Sequence, residues 1–215
     1  MVCLANVHML MEAKGNADFN SIFRNADLRL LDGMPLVWSY RVFHGYRPER
    51  IAGKHLMHAL LEKAAEEGLS VFFYGSTPDK LNRAEQFLNQ YYPGLEIAGM
   101  ISPPFRALTA EEFQAHADFI QESGASLVFV ALGCPKQERW MHTMRGRIPA
   151  VMIGVGIALE VLTGQQKSTP PWMERAGLEW FFRLLKEPNR LWKRYLLTNS
   201  RFIALFLKSF LTGVH

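Results

Sequence analysis

Apolar residues between Leu56 and Gly154 follow two alternating spacings. Leu56, Leu60 and Ala64 recur at helical spacing as far as Gly68, and Ser70-Val71-Phe72-Phe73-Tyr74 is then a short apolar run closed by Gly75-Ser76. The unit repeats: the pattern predicts a helix over 79–91 and a strand over 95–99, a helix over 110–122 and a strand over 127–132, then a helix over 135–145 and a strand over 150–154. Helices of that length between buried strands imply a mostly parallel sheet with crossover connections. The fold class is therefore α/β, a doubly wound, Rossmann-like sheet flanked by helices. Earlier in the chain, Leu28, Leu30 and Leu31 read as a buried strand that ends at Asp32-Gly33-Met34-Pro35.

The alternation stops at Gly164-Gln165-Gln166-Lys167-Ser168-Thr169-Pro170-Pro171. Beyond it the pattern is helical throughout, over about 172–186 and again from Asn189 after a break at Glu187-Pro188. Two domains are expected: an α/β catalytic domain over 1–170 and a helical C-terminal appendage over 171–215.

Composition narrows the class. A chain of 215 residues with 49% hydrophobic content can build a sizeable core. No apolar run approaches the roughly 20 residues that span a bilayer, and no leader pattern follows Met1, so the protein is expected in the cytoplasm. Cys3 and Cys134 have neither CxxC spacing nor histidine neighbours, which points away from disulfides and zinc. The net charge of +4 is unevenly spread: the appendage holds eight Lys/Arg against three acids, whereas residues 1–170 hold 16 against 17. The appendage is thus the part that meets something anionic.

Asp32 is the first catalytic candidate. In an open α/β sheet the carboxyl ends of strands open onto the ligand crevice, although Asp-Gly is also ordinary turn chemistry. Gly75, Gly133, Gly154 and Gly156 each stand at a strand's carboxyl end, where backbone N–H groups could approach a phosphate or a sugar hydroxyl. The loop Gly133-Cys134-Pro135-Lys136-Gln137-Glu138 adds a helix start with Lys136 and Gln137 in its first turn. Neither GxGxxG nor a P-loop occurs, which disfavours dinucleotide oxidoreductases and P-loop enzymes. Asp27 is read as serving a strand start and Glu160 as sitting on a helix after Gly156, so one base fits better than a carboxylate pair. No Asp-x-Asp pair offers to hold a divalent ion, and no cofactor is implied.

The appendage carries an amphipathic pattern. At about 100° per residue from Arg190, the cations Arg190, Lys193, Arg194, Arg201 and Lys208 fall within about 60° of one line, and Trp192, Tyr195, Phe202, Ile203, Phe206 and Phe210 lie between about 120° and 220°. Two uses are open, a terminal helix packed on the core and a helix on an anionic membrane surface. The absence of acids after Glu187 favours the membrane.

Taken in order, Asn6-Val7-His8, Asn25-Ala26-Asp27, Asp32-Gly33-Met34-Pro35, Arg50-Ile51-Ala52-Gly53, Ser102-Pro103-Pro104-Phe105, Gly133 to Glu138, Ile153-Gly154-Val155-Gly156 and Pro171-Trp172-Met173 with Gly177-Leu178-Glu179-Trp180 resemble the bacterial WecG/TagA/CpsF glycosyltransferases, glycosyltransferase family 26. The resemblance covers nearly the whole chain. It implies a metal-independent, inverting transfer of a sugar from a UDP-sugar to a polyprenyl-diphosphate-linked saccharide, at the inner face of the cell membrane, in the making of a cell-surface polysaccharide. It places the base on Asp32, a basic site residue on Arg50 and donor contacts on Lys136 and Gln137; beside them Asn6, Ser76 and the strand-end glycines Gly75, Gly133, Gly154 and Gly156 are the further donor-contact candidates. Arg183, Arg190 and Arg194 are implied to face the acceptor diphosphate or the membrane, and Lys193 and Arg201 join them from the basic stripe of the amphipathic pattern.

N-acetylmannosamine, its uronic acid, glucose and glucuronic acid all remain open as the donor sugar. A homo-oligomer is an open partner too, and the acidic balance of residues 1–170 speaks against nucleic acid. Two departures from the family pattern stand out. The chain reads as shortened before Asn6, with a strand missing there, and Leu4 takes the place of a threonine. Both favour the rival reading, a weak or inactive nucleotide-sugar-binding scaffold at the membrane.

Overall fold

The computed structural model describes residues 1–213. In chain order the elements are β1 (Val2–Ala5), α1 (Val7–Gly15), α2 (Ala17–Arg24), β2 (Leu28–Leu31), α3 (Met34–His44), α4 (Gly53–Glu67), β3 (Val71–Gly75), α5 (Pro78–Tyr91) and β4 (Ile97–Ile101). They continue with α6 (Ala110–Glu122), β5 (Leu127–Ala131), α7 (Lys136–Met144), β6 (Val151–Gly154), α8 (Ala158–Leu162), α9 (Pro171–Arg175), α10 (Glu179–Lys186) and α11 (Pro188–Thr212). The six strands form one parallel sheet in the order β2-β1-β6-β5-β3-β4. The expected α/β class is observed.

The chain divides into two compact units. The first comprises Met1–Cys3, Ile22–Arg29 and Gly53–Lys167. Its centre is fully buried: Val71, Phe72 and Phe73 of β3 and Val128, Phe129 and Val130 of β5 are all essentially inaccessible. β3 and β5 pair in unbroken register from Val71↔Leu127 to Gly75↔Ala131, and β5 pairs with β6 from Leu127↔Val151 to Val130↔Gly154. Strands covered on both faces read as continuous apolar runs, which is why the sequence marks them clearly. Helix α6 is set by a capping box, in which the Thr109 hydroxyl accepts from the Glu112 N–H and the Glu112 carboxylate accepts from the Thr109 N–H.

The second unit comprises Leu4–Ser21, Leu30–Ala52 and the chain from Ser168 onward. It gathers the ends of β1 and β2, helices α1 and α3, and the C-terminal helices α9 to α11. Helices α1 and α11 pack together, as do α10 and α11, and Phe43 of α3 meets Phe206 of α11 with ring centroids 5.2 Å apart.

Three expectations are corrected. A strand does precede Asn6: Val2–Ala5 is a buried interior strand, with Leu4 among its core side chains. Strand β4 starts at Ile97, two residues late, because Leu95 is still in the turn and donates to the Tyr92 carbonyl. The helix expected over 172–186 is two helices, since Gly177 at φ +72° breaks it. A side chain there would strike Trp38 and Met34 of α3, with a Cβ only 2.9 Å from the Trp38 ring. Of the appendage, Val214 and His215 lie outside the described residues.

Candidate active site

In the second unit Asp32 follows β2 directly. Its own N–H and that of Gly33 both donate to the Ala5 carbonyl, at 2.9 and 3.2 Å, so the turn is fixed to the end of β1. Asn6, the next residue of that strand end, caps α1 by accepting from the Met9 N–H at 3.1 Å. Arg50 then closes over Asp32. Its Nε donates to the Asp32 carbonyl and its guanidinium lies 3.6 Å from Asp32 Oδ1. The same guanidinium lies 3.7 Å from Glu174 Oε1 and donates to Glu179 Oε2. Arg183 donates to the other oxygen of Glu179 at 2.7 Å. The side chains of Arg50, Asp32, Glu174 and Glu179 are all less than a quarter exposed, so the ion pairs are partly desolvated and stronger than surface pairs.

In the first unit, the loops after β5 and β6 meet at Gln137. Its Oε1 accepts from the N–H of Gly133 at 3.1 Å and from that of Gly156 at 3.2 Å, and its Nε2 donates to Glu138 Oε1 at 2.8 Å. This differs from the expectation that the two glycine N–H groups face a phosphate: Gln137 takes both. Gly154 leaves the space, since a Cβ there would lie 2.8 Å from Gln137 Nε2. Helix α7 begins at Lys136, with Pro135 as its cap. Gln137 and Glu138 are buried, and burial holds the Glu138 carboxyl above the usual carboxylate range. Burial and the nearby Glu138 likewise push the Cys3 thiol up to about 12, which makes it an inert core residue.

The loop after β3 is the strained one. Ser76 holds φ +65°, in the left-handed region that serine rarely adopts. Its hydroxyl donates to Glu160 Oε1 at 3.0 Å, its carbonyl accepts from the Ser102 hydroxyl at 2.9 Å, and Lys80 Nζ lies 3.4 Å from the same Glu160 oxygen. Glu160 is 93% buried by its 7% exposure, and its Oε2 has no hydrogen-bond partner among the described residues. A carboxylate oxygen kept in that state marks a polar position that a ligand hydroxyl could complete. The sequence reading set Glu160 aside as an ordinary helical acid. The spacing that carries it, an acid four residues after the Gly154-Val155-Gly156 strand end, became informative only when β3 brought Ser76 to it. Beside this loop, Asn82, Glu85, Ile97, Gly99 and Ser102 line an open cavity of about 360 Å³ between α5 and β4. Asp27, read as serving a strand start, pairs with Arg145 at 2.5 Å.

The cations expected on the appendage are spread along α10 and α11. Arg183 is tied to Glu179, and Arg190 is paired with Glu187. Lys193 lies over the Trp192 ring and Arg201 is exposed, whereas Arg194 is half-buried over Tyr195 with its Nε unpartnered among the described residues. The aromatic face splits in two. Tyr195, Phe202 and Phe206 are half-buried, while Trp192, Ile203 and Phe210 are exposed together with Leu196, Leu207 and Leu211. No helix among the described residues is long and apolar enough to cross a membrane. Among them, too, no group of three His, Cys, Asp or Glu side chains is placed to hold a metal ion.

The model of the glycosyl transferase WecG/TagA/CpsF family matches residues 1–214 of the chain. The chain belongs to that family. Two curated relatives carry the same name, N-acetylglucosaminyldiphosphoundecaprenol N-acetyl-beta-D-mannosaminyltransferase. The one from Bacillus spizizenii is 33% identical over 208 residues, covering 96% of this chain and 78% of the relative. The one from Bacillus subtilis strain 168 is 32% identical over 199 residues, covering 91% and 75%. A WecG/TagA/CpsF protein is a glycosyltransferase of polysaccharide biosynthesis, and the motifs from Asn6 to Trp180 lie within the matched span.

Proposed function

We propose that the chain moves a hexosamine from a UDP-sugar to a polyprenyl-diphosphate-linked saccharide, with Asp32 as the base. The observation that carries this is the fixing of Asp32: its backbone N–H is held by Ala5, its carbonyl by Arg50, and its carboxylate is still partly open to solvent. A base must be held at one geometry to take a proton in the transition state. The acceptor hydroxyl oxygen forms a bond to C1 of the donor sugar while the bond from C1 to the diphosphate oxygen breaks. UDP leaves with that electron pair, the proton passes to the Asp32 carboxylate, and the anomeric centre is inverted. On the first unit, Glu160 and Ser76 offer acceptors and a donor for sugar hydroxyls, and Lys80 and Lys136 offer positive charge for phosphate. The relatives' names support N-acetylmannosamine as the sugar and an undecaprenyl-diphosphate acceptor.

The test is UDP release from purified protein given UDP-N-acetylmannosamine, the other UDP-sugars in parallel, and an N-acetylglucosaminyl-diphospho-lipid. Release with one donor, unchanged in EDTA, is the expected result. No release with any donor would favour the binding scaffold, and a rate that collapses in EDTA and returns with Mg²⁺ would make Asp32 or Asp27 a metal ligand.

The same reading puts the second unit on an anionic membrane surface. On α11 the exposed apolar line of Trp192, Leu196, Ile203, Leu207 and Phe210 runs at about 200–260° from Arg190; Lys193, at about 300°, lies on one flank of it, while Arg194 and Arg201, at about 20–40°, lie on the far side of the helix. Lys193 on the flank can reach lipid headgroups while the apolar line enters the acyl boundary, and the cations of the polar face add longer-range attraction to an anionic surface. The protein is expected to sediment with anionic vesicles and to be released by salt, and neutralising Arg190, Lys193, Arg194 and Arg201 together should weaken binding by about 1 kcal/mol per charge. Equal binding to neutral vesicles would remove the electrostatic part of the argument.

A further inference from the structure

A base at the end of β2 needs a neighbour to orient it, but it does not need the arrangement found around Arg50. One guanidinium serves carboxylates from three places: Asp32 at the end of β2, Glu174 on α9 and Glu179 on α10. Arg50 itself stands in the loop before α4, a loop tied to β2 by the Ile51 N–H donating to the Leu31 carbonyl at 2.9 Å. Glu179 takes the closest contact, and Arg183 holds its other oxygen. Glu179 is thus clamped between two arginines, and Arg50 is drawn toward it and away from the Asp32 carboxylate.

We propose that Glu179, assisted by Glu174, is a positioning residue for Asp32: it holds the Arg50 guanidinium so that Arg50 grips the Asp32 backbone carbonyl while remaining at 3.6 Å from the carboxylate. The physical argument is competition for one fork of donors. Arg50 has an Nε–H and two NH₂ groups in a rigid plane. With Nε on the Asp32 carbonyl and one NH₂ on Glu179, the fork cannot also close on the Asp32 carboxylate as a bidentate pair. Without Glu179 it can. A carboxylate in a bidentate arginine pair is stabilised as the anion and becomes a poorer proton acceptor. The α9–α10 segment is therefore a condition for a competent base and not only a membrane anchor. Its docking is anchored twice within the same unit, by these ion pairs and by Gly177 against Trp38 and Met34.

This inference rests on Asp32 being the base, and the experiment separates the two. Glu179→Gln keeps the shape and removes the charge. With UDP-N-acetylmannosamine and the lipid-linked acceptor, it is expected to lower kcat about ten-fold and leave KM for the donor within about two-fold. Arg50→Lys, which loses the fork, should lower kcat similarly, and adding Glu179→Gln to it should cost nothing more. In an Asp32→Asn background Glu179→Gln should also add no further loss. A Glu179→Gln variant that keeps more than half of wild-type kcat, or losses that multiply in either double variant, would overturn the inference. If Asp32→Asn itself keeps full turnover, the base assignment falls instead. A second readout needs no turnover: trypsin cleavage of the full chain at Arg175 and Lys186 should be several-fold faster in Glu179→Gln and unchanged in Asp32→Asn. Equal cleavage of wild type and Glu179→Gln would show that the ion pair does not hold the segment, and would overturn the inference by itself.

Discussion

Asp32→Asn is expected to lower turnover by about 10²–10⁴-fold while UDP affinity stays within a factor of two. The magnitude follows from what the substitution removes. A positioned base contributes about that factor, equivalent to roughly 3–5 kcal/mol of transition-state stabilisation. The amide nitrogen or oxygen of asparagine cannot take the proton as the acceptor oxygen bonds to C1. Geometry should survive, because the contacts that fix residue 32 run through its backbone: its N–H donates to Ala5 and its carbonyl accepts from Arg50. UDP affinity should survive as well, because the loops proposed to hold the nucleotide sugar, around Ser76, Lys80 and Glu160, belong to the other compact unit. The comparison to make is steady-state kcat against UDP binding by calorimetry on the same two proteins. A variant that retains more than about a tenth of wild-type kcat would remove Asp32 from the base role. One that loses UDP affinity along with turnover would make it a binding residue.

The residues that were legible in the sequence are those whose signal is local. Helix α6 over Ala110–Glu122 and strand β2 over Leu28–Leu31 stand where the pattern put them, because periodicity and capping act within a few residues. The position of Asp32 at the end of a strand was legible for the same reason, although β2 is an edge strand with Leu28 exposed and not the buried strand its leucines suggested. Strand β1 was missed because four residues ahead of a helix give too short a pattern, and it is recognisable only from its pairing with β6. The break at Gly177 was missed because it depends on Trp38, which is distant in sequence and close in space. Gln137 is the sharpest case. Its neighbours in sequence suggested a ligand contact, whereas its amide is used to join two strand-end loops at Gly133 and Gly156. A buried glutamine's partners are set by the sheet order, which brings β5 beside β6, and no reading of one segment contains that information.

Gly75 carries the same distinction to its largest expected effect, on folding and not on ligand binding. A glycine ending a strand could be there so that a phosphate can approach its N–H. Here the space is already taken: a Cβ at Gly75 would lie 2.5 Å from the Ala131 carbonyl oxygen and 2.6 Å from its carbon, both backbone atoms of the neighbouring strand. The backbone also sits at φ +117°, which L side chains rarely adopt. Neither strain can relax cheaply, since β3 and β5 pair without interruption up to Gly75↔Ala131, β3 is buried throughout and β5 is buried at its centre. Gly75→Ala is therefore expected to cost about 4 kcal/mol or more, a large share of the 5–15 kcal/mol that holds an ordinary domain together. Chemical denaturation at neutral pH would read it as a much lower midpoint with a similar slope. If the variant instead kept its midpoint and lost only UDP affinity, the packing argument would be wrong and Gly75 would owe its identity to the ligand.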